Sequence, residues 1–563
     1  MTVAFALVFG LLSWVWVAAA GSSKVELVVR PHGEGGLQRR GNATAEYLKC
    51  AAQSYNALTT IGQYSFLLSL DTGSADTWVV SSSCRTSECK GLPAYPDHLA
   101  SPTFASINNN ATAFKIGFAD GTRAAGFIAS ERMGIGGFNL TSQVFGLVND
   151  TNVTLAAGDH EASGILGLGF PRLPQIGKSV QGAVPPIARL AQQGLLTYPM
   201  FGLSLRKDDT GTLSLGAIDA DVVKNQSLIS WHNVAPFPTL PNDNSSIYLQ
   251  WAIHLSGVAV NGVNVTLNAT YPSITGSQPL ALFDVGANGI YGPAADVAEL
   301  FSQIPASRLV GDGQYAVPCD TTLGMSFTFG SRNYTIQPHD YIFARVLDPP
   351  NMCLAWPRAT APSVDGIDWQ FGTPFMRTVY SIFSYGIDTK EPPKIGLYPL
   401  SPDVVLDTEE TISQSLSVES ATYATTLPNY VLPTPTYTTP PYLFSPTPSP
   451  TQSGSTTTTS ASGTATTPTS TFEYSLPTLG ELASSGLGAS TYSALLTRTT
   501  PLPSVHPPVV VVTDSNGSAT TRAMPMQSVI LGGPEKSFAI RQRTIGFGLW
   551  TGVLFAVYIV LLV

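Results

Sequence analysis

The residues best suited to chemistry are two aspartates, Asp71 and Asp284, each at the end of an apolar run. The segments 68–74 (LSLDTGS) and 280–286 (LALFDVG) both predict a strand that ends in Asp-X-Gly. Such a glycine turn holds a carboxylate on a loop tip. Two carboxyls that face each other cannot both ionise, so one acts as an acid and the other as a base. This pair could activate a water for attack on a carbonyl without any nucleophilic side chain.

One Asp-Thr-Gly is weak evidence, because its ordinary role is an Asx turn that closes a hairpin. The surrounding segments make the pattern specific. In chain order they are 71–81 (DTGSADTWVVS), 118–126 (FADGTRAAG), 164–170 (GILGLGF), 248–251 (YLQW) and 369–380 (WQFGTPFMRTVY). Over residues 55–400 this set resembles the pepsin-like aspartic endopeptidases, in particular a fungal, membrane-anchored type.

The resemblance implies an all-β, bilobal fold with a central cleft and few short helices. Each lobe would supply one catalytic aspartate, and the expected function is hydrolysis of peptide bonds at acidic pH. Asp71 and Asp284 match the catalytic pair. The residues that match its support are Thr72, Gly73, Ser74 and Gly286. Peptides or proteins are the expected substrates, and the sequence shows no sign of a cofactor or a metal site.

The resemblance also assigns residues around the cleft. Phe118, Asp120 and Gly121 match the tip of a hairpin flap that closes over the substrate, and Trp78 matches a tryptophan behind it. The segments Ile165-Leu166-Gly167 and Phe371-Gly372 match those that thread behind each aspartate loop. In related fungal enzymes an Asp at the Asp120 position accompanies cleavage after a basic residue. The alternative is that Asp120 only caps the hairpin turn.

Three departures from the family pattern concentrate at this site. Val285 replaces the hydroxyl residue after the second aspartate, and Ala287 replaces the hydroxyl that would support it. We therefore expect the proton of the pair to reside on Asp284 and Asp71 to ionise more readily. Phe118 replaces a flap Tyr that would bond to the tryptophan. These losses keep two alternatives open, a catalytically impaired binding protein and a structural wall glycoprotein.

Several features predict passage through the secretory pathway. Residues 1–20 resemble a signal peptide, and secretion makes the cysteines readable as disulfides. The family spacing implies the pairs Cys84–Cys89 and Cys319–Cys353, while Cys50 is either free or paired with another chain. Eleven glycosylation sequons begin at Asn42, Asn110, Asn139, Asn149, Asn152, Asn225, Asn244, Asn264, Asn268, Asn333 and Asn516.

Composition limits the choice of partners. The chain has 563 residues, a formal net charge of −9 and only 12% charged residues. Without a basic stripe to neutralise phosphates, nucleic acid is not an expected partner. We expect a monomer that is tethered to the extracellular face of a membrane.

The predicted domain organisation follows from shifts in composition. Residues 21–54 form a short pro-segment or N-terminal arm, in which Arg39-Arg40 is either a processing site or a solvated charge pair. The lobes span 55–240 and 241–402, and 403–544 is a disordered stalk rich in Ser, Thr and Pro. The uncharged segment 545–563 could span a bilayer or serve as a removed glycolipid-anchor signal. Basic residues lie only before it, which favours the glycolipid anchor.

Overall fold

In the computed structural model of the chain, the described residues are 23–31, 53–97, 101–157, 160–206, 210–238, 247–311, 313–348, 351–387, 391–401, 407–419, 422–427, 432–444, 509–513 and 519–523. Contacts divide the chain into residues 1–524 and 525–563, and the second unit lies entirely outside the described residues.

Short strands account for most of the regular structure. The strands up to the lobe junction are β1 (Ser23–Pro31), β2 (Gln53–Ile61), β3 (Tyr64–Asp71), β4 (Trp78–Val80), β5 (Ala105–Ser106), β6 (Ala113–Gly117), β7 (Arg123–Ile135), β8 (Phe138–Thr151), β9 (Ala156–Ala157), β10 (His160–Glu161), β11 (Gly164–Gly167), β12 (Met200–Ser204), β13 (Thr210–Leu215) and β14 (Ser230–Asn233).

The later strands are β15 (Ala252–His254), β16 (Gly257–Val260), β17 (Val263–Val265), β18 (Leu280–Phe283), β19 (Ile290–Pro293), β20 (Arg308–Gly311), β21 (Gln314–Pro318), β22 (Met325–Phe329), β23 (Arg332–Ile336), β24 (Ile342–Asp348), β25 (Met352–Ala355), β26 (Arg358–Thr360), β27 (Ile367–Phe371), β28 (Val379–Ser384), β29 (Lys394–Pro399), β30 (Thr422–Thr426), β31 (Val509–Thr513) and β32 (Ala519–Ala523).

The helices are short. They are α1 (Gln175–Ser179), α2 (Pro186–Gln192), α3 (Pro272–Thr275), α4 (Ala294–Ser302), α5 (Pro338–Tyr341), α6 (Thr373–Met376) and α7 (Glu409–Glu419), with single 3-10 turns at Ser87–Cys89 and Gln226–Leu228. Residues 186–193 and 294–303, which also look helical from the sequence, form α2 and α4. The predicted all-β architecture with few short helices is confirmed.

Turn chemistry explains why the strands stay short. The dipeptide Asn261-Gly262 is a sequence signature of a turn, and both residues have positive φ, 48° and 79°. This is the backbone that a tight two-residue hairpin needs, and Asn and Gly adopt it most readily. The turn joins β16 and β17, which pair in antiparallel register from Val258↔Val265 to Val260↔Val263.

One large sheet carries strands from both halves of the sequence. Its order is β14-β29-β28-β12-β13-β1-β2-β3-β11-β4-β8-β7-β5, with β6 paired to β7. The N-terminal arm contributes β1, which lies between β13 and β2. The second lobe adds separate sheets of its own, including β15-β18-β27-β19-β26.

The same strand arrangement positions both aspartates. In the first lobe β3 runs beside β11 in parallel, and Asp71 is opposite Gly167. In the second lobe β18 runs beside β27 in parallel, and Phe283 is opposite Phe371. Each aspartate therefore emerges at the end of a strand whose neighbour continues behind the loop.

Aromatic packing connects the two lobes below the aspartate loops. Trp251 is fully buried, and its ring centroid lies 4.1 Å from that of Phe170. The Trp251 Nε1 donates to the carbonyl oxygen of Leu168 at 3.0 Å. Leu168 N in turn donates to the carbonyl oxygen of Asp71 at 2.8 Å. The second lobe thus helps to hold the first aspartate loop in place.

Both disulfides that the resemblance implied are present, Cys84–Cys89 and Cys319–Cys353. Cys50 lies outside the described residues.

Packed structure continues beyond residue 402, where the sequence predicted a stalk. Ile412 and Tyr442 are buried, and β30 pairs in parallel with β24 of the second lobe. The Tyr271 hydroxyl donates to the carbonyl oxygen of Pro440 at 2.8 Å. This part of the tail contains enough apolar side chains to pack, whereas 445–508 lies outside the described residues.

The membrane-anchor prediction concerns 545–563, which also lies outside the described residues, as does the predicted signal peptide. Within the part of the chain that the structure describes, no helix is both long enough and apolar enough to cross a bilayer.

Candidate active site

The structure brings Asp71 and Asp284 together at the floor of the cleft. The backbone N–H of Gly73 lies 2.9 Å from Asp71 Oδ1 and 3.0 Å from Asp284 Oδ1, so one donor serves both carboxyls. Asp71 and Asp284 are both buried, with 7% of each residue's surface exposed.

Two glycines permit this close approach. A Cβ on Gly73 would lie 2.4 Å from Asp284 Oδ2, and a Cβ on Gly286 would lie 2.6 Å from Asp71 Oδ1. Each loop thus places its glycine against the carboxyl of the other loop. Any larger residue would displace a carboxyl.

The backbone and hydroxyl donors to Asp71 come from its own loop, and the Asp284 carboxyl is hydrogen-bonded to it as well. Its Oδ1 accepts from the backbone N–H groups of Gly73 and Ser74, the latter at 3.1 Å. Its Oδ2 accepts from the Ser74 hydroxyl. These donors hold the Asp71 carboxyl in one orientation.

Asp284 is supported differently. Its Oδ1 accepts from Gly286 N at 2.8 Å, in addition to Gly73 N from the first lobe. At the place of the Ser74 hydroxyl stands Ala287, which has no donor side chain. The donor to Asp284 Oδ2 is instead the side-chain amide of Gln370 on β27, with Nε2 at 2.6 Å.

Between the lobes, the buried Thr72 hydroxyl makes a one-way brace. It donates to the carbonyl oxygen of Phe283 at 2.9 Å and accepts from Val285 N at 2.9 Å. The Val285 side chain is buried and has no hydroxyl with which to make the reciprocal bonds.

The electrostatics of the pair are unequal. Burial, followed by the charge of the adjacent Asp71, raises the pKa of Asp284 to about 8, and the Gln370 hydrogen bond opposes that rise. In acidic solution Asp284 therefore keeps its proton. The direction agrees with the expectation from Val285 and Ala287.

The flap is the hairpin of β6 and β7, and its tip holds Phe118, Asp120 and Gly121. Gly121 has φ +83° with open space around its Cα, and its N–H donates to the Phe118 carbonyl at 3.0 Å. Asp120 Oδ1 accepts from Thr122 N at 2.9 Å and from the Thr122 hydroxyl at 2.6 Å. One carboxylate oxygen of Asp120 therefore caps the turn, as the structural alternative predicts.

Behind the flap, Trp78 is fully buried, and half-buried Phe118 packs against the cluster that contains it. The Trp78 Nε1 has no hydrogen-bond partner among the described residues. A tyrosine hydroxyl at position 118 is what the family pattern would offer it. Leaving a buried N–H unpaired costs about 1–3 kcal/mol.

Tyr291 is half-buried on the second lobe, on the strand next to that of Gln370. It lies opposite Gln370 across β19 and β27, so the two side chains share a face of the sheet. Burial raises the pKa of Tyr291, and the charges of Asp284 and Asp120 raise it further, while Arg358 opposes them. The phenol thus lies within electrostatic reach of both the catalytic floor and the flap tip.

With this geometry established, comparison with known proteins decides the family. Residues 54–392 match the family model described as eukaryotic aspartyl protease. The chain belongs to this family.

Relatives within the aspartyl protease family come from fungi and animals. An aspartic protease of Phaffia rhodozyma is 30% identical over 335 residues, which cover 58% of this chain and 73% of that protein. Human napsin-A is 30% identical over 342 residues, covering 59% of this chain and 73% of napsin-A. Mouse cathepsin E is 28% identical over 346 residues, covering 60% and 77% respectively.

Sequence analysis missed two members of this aspartyl protease site, Gln370 and Tyr291. A signal for Gln370 was available. The segment behind the first aspartate is Ile165-Leu166-Gly167, whereas the equivalent second segment begins with Gln370 where an apolar residue is expected. A polar residue at that place, together with Ala287, indicates a donor that has moved from the loop to the strand. Tyr291 gave no comparable signal.

Proposed function

We propose that this protein is an aspartic endopeptidase that hydrolyses peptide bonds at acidic pH with a water activated by Asp71 and Asp284. The observation that carries the proposal is the shared Gly73 donor, which holds both carboxyls around one point. Membership of the aspartyl protease family and the protonated state of Asp284 support it.

The proposed chemistry follows from the unequal pair. Asp71 accepts a proton from water while the water oxygen bonds to the peptide carbonyl carbon, and Asp284 donates its proton to the carbonyl oxygen. When this tetrahedral intermediate breaks down, Asp284 takes a proton back from one of its hydroxyls. Asp71 passes its proton to the leaving nitrogen as the C–N bond breaks. Each carboxyl therefore ends as it began.

The test is cleavage of a denatured protein by the full-length chain between pH 3 and pH 6. Asp71→Asn and Asp284→Asn should each lower kcat/KM by roughly 10²–10⁴-fold, the usual contribution of a positioned acid or base. Exposed Asp320 supplies the matched control, since Asp320→Asn should cleave like wild type. Thermal unfolding of each variant establishes that it is folded.

Absence of wild-type cleavage would contradict the proposal. If the chain then still bound pepstatin, the catalytically impaired binding protein would replace it. With neither cleavage nor binding, the wall glycoprotein would be the better account.

A preference for a basic residue before the cut belongs to the same proposal. Asp120 is exposed at the flap tip, and its Oδ2 accepts no hydrogen bond from the described residues. A peptide-library digest should show enrichment of Lys or Arg at that position, and Asp120→Asn should remove the enrichment. Absence of enrichment in wild type would leave Asp120 as a turn cap alone.

We also propose that the protein is glycosylated and displayed as a monomer at the cell surface. The sequons within the described residues all begin at exposed asparagines, Asn110, Asn139, Asn149, Asn152, Asn225, Asn264, Asn268 and Asn333. The membrane attachment rests on the sequence of 545–563 alone. Release of the protein from intact cells by a glycolipid-specific phospholipase would distinguish a glycolipid anchor from a retained helix.

A further inference from the structure

The two halves of the dyad differ in the origin of one hydrogen bond. Asp71 Oδ2 accepts from Ser74, three residues further along the same loop. The equivalent position in the second loop is Ala287. Asp284 Oδ2 nevertheless has a donor, Gln370 Nε2, which comes from the neighbouring strand.

The register of the strands makes this replacement specific. Leu282 is opposite Gln370 on the parallel strand, just as Ser69 is opposite Ile165 in the first lobe. Ile165 is buried in the apolar cluster behind the flap and offers no donor to Asp71. In the first lobe the donor is on the loop and the residue on the neighbouring strand is apolar. In the second lobe the loop residue is apolar and the donor is on the neighbouring strand.

We propose that Gln370 is a positioning residue for Asp284, supplying through its amide the hydrogen bond that a hydroxyl at position 287 would otherwise make. Gln370 fixes the orientation of the Asp284 carboxyl and stabilises its ionised form during the step in which it has given up its proton. This inference rests on the proposed function, because Asp284 is taken as the acid.

The amide is well placed for that role. Gln370 is half-buried in β27, and its backbone is held in register with β18 on one side and β19 on the other. A side chain anchored on a strand between two others has little freedom to leave the carboxyl. Its loss would leave Asp284 Oδ2 with no protein donor among the described residues.

The test uses three variants of the full-length chain, Gln370→Met, Ala287→Ser and the double variant. Met keeps the length and volume of Gln and removes the donor, while Ser recreates the first-lobe arrangement. Gln370→Met should lower kcat by about tenfold with little change in KM, because a lost donor to a charged group weakens a step after binding. The double variant should recover most of that loss.

The pH profile separates positioning from a structural role. A donor to the ionised carboxyl favours ionisation, so its removal should move the alkaline limb of kcat upward by about one pH unit. Ala287→Ser in the same background should move the limb back. A profile that Gln370→Met leaves unchanged, or a loss of kcat that Ala287→Ser does not recover, would overturn the proposal.

Failure of the proposed function would be recognised separately. Wild-type cleavage is measured first, and its absence contradicts the protease rather than Gln370. The role of Gln370 is then read from stability, since the unfolding free energy of Gln370→Met should go on falling between pH 8 and pH 9, where that of wild type levels off as Asp284 ionises. Equal slopes for the two proteins would contradict it.

Discussion

The two aspartate loops share a strand arrangement but differ in how they support a carboxyl. The first loop supplies most of its own support, because Gly73 and Ser74 both donate to Asp71, which is also hydrogen-bonded to the Asp284 carboxyl. The second loop supplies only the Gly286 N–H, and Asp284 takes its other bonds from Gly73 of the other lobe and from Gln370. The comparison shows that one carboxyl geometry can be built from local or from distant donors.

The brace between the lobes is equally one-sided. The Thr72 hydroxyl donates to the Phe283 carbonyl and accepts from Val285 N. The Val285 side chain cannot make the equivalent bonds to the first loop. The second aspartate loop is therefore positioned partly by the first lobe. Changes in either loop should disturb both carboxyls, because the glycine of each loop lies against the carboxyl of the other.

The largest effect is expected where each loop meets the other carboxyl. Gly286→Ala places a Cβ 2.6 Å from Asp71 Oδ1, and Gly73→Ala places one 2.4 Å from Asp284 Oδ2. Either change should lower kcat/KM by roughly 10²-fold, the loss expected from a displacement of about 1 Å. Gly117→Ala in the flap is the matched control, because its Cβ would meet nothing closer than 4.0 Å. Equal activity in all three variants would refute the close approach.

Stability should depend on pH through Asp284. Its pKa is about 8 in the folded protein and 3.8 in the reference state, so between these values the folded state holds a proton that the unfolded state has lost. Its contribution is complete below pH 4 and is lost as the pH rises through 8, on the order of 5–6 kcal/mol at 1.36 kcal/mol per pKa unit. Urea unfolding of wild type and Asp284→Asn at pH 4 and pH 8 measures the difference. An identical pH dependence in the two proteins would contradict the raised pKa.

Thr72→Val should show how much the inter-lobe hydrogen bonds of the Thr72 hydroxyl contribute to stability. It leaves the Phe283 carbonyl and the Val285 N–H without their partner and should lower the unfolding free energy by about 1–3 kcal/mol. Val285→Thr adds a hydroxyl where the first lobe already has one and should not lower stability by that amount. Similar losses in both variants would mean that the brace is not one-sided.

The smallest effect is expected at the flap. Phe118→Tyr offers a hydroxyl to Trp78 Nε1, which has no partner in the described part of the chain. A better-held flap should lower KM for a peptide substrate a few-fold, in line with a net gain of about 1 kcal/mol per hydrogen bond. Phe114→Tyr, in the same cluster but away from the flap tip, is the control. An unchanged KM would show that the flap is not limited by this missing bond.

Much of the architecture could be predicted from the sequence because it is encoded locally. The Asp-X-Gly turns, the Asn261-Gly262 hairpin and the helices near 186 and 294 are short-range patterns. The departures at Val285, Ala287 and Phe118 were likewise visible, because each falls within a motif.

What the sequence did not reveal depends on partners that are distant in the chain. Gln370 lies 86 residues from Asp284, and only the β18–β27 register brings them together. The packing of the tail around Tyr442 also depends on Tyr271 and its neighbours in the second lobe. Composition alone indicated a stalk there, because a few apolar residues among Pro and Thr give no periodic signal.

Infrared difference spectroscopy tests the central claim most directly, that two carboxyls form one unequal pair with the proton on Asp284. Near pH 6.5 the wild-type minus Asp284→Asn spectrum should contain the C=O band of a protonated carboxyl, and the wild-type minus Asp71→Asn spectrum should show mainly a lost carboxylate. The reverse assignment, or two carboxylate bands and no protonated one, would contradict the account.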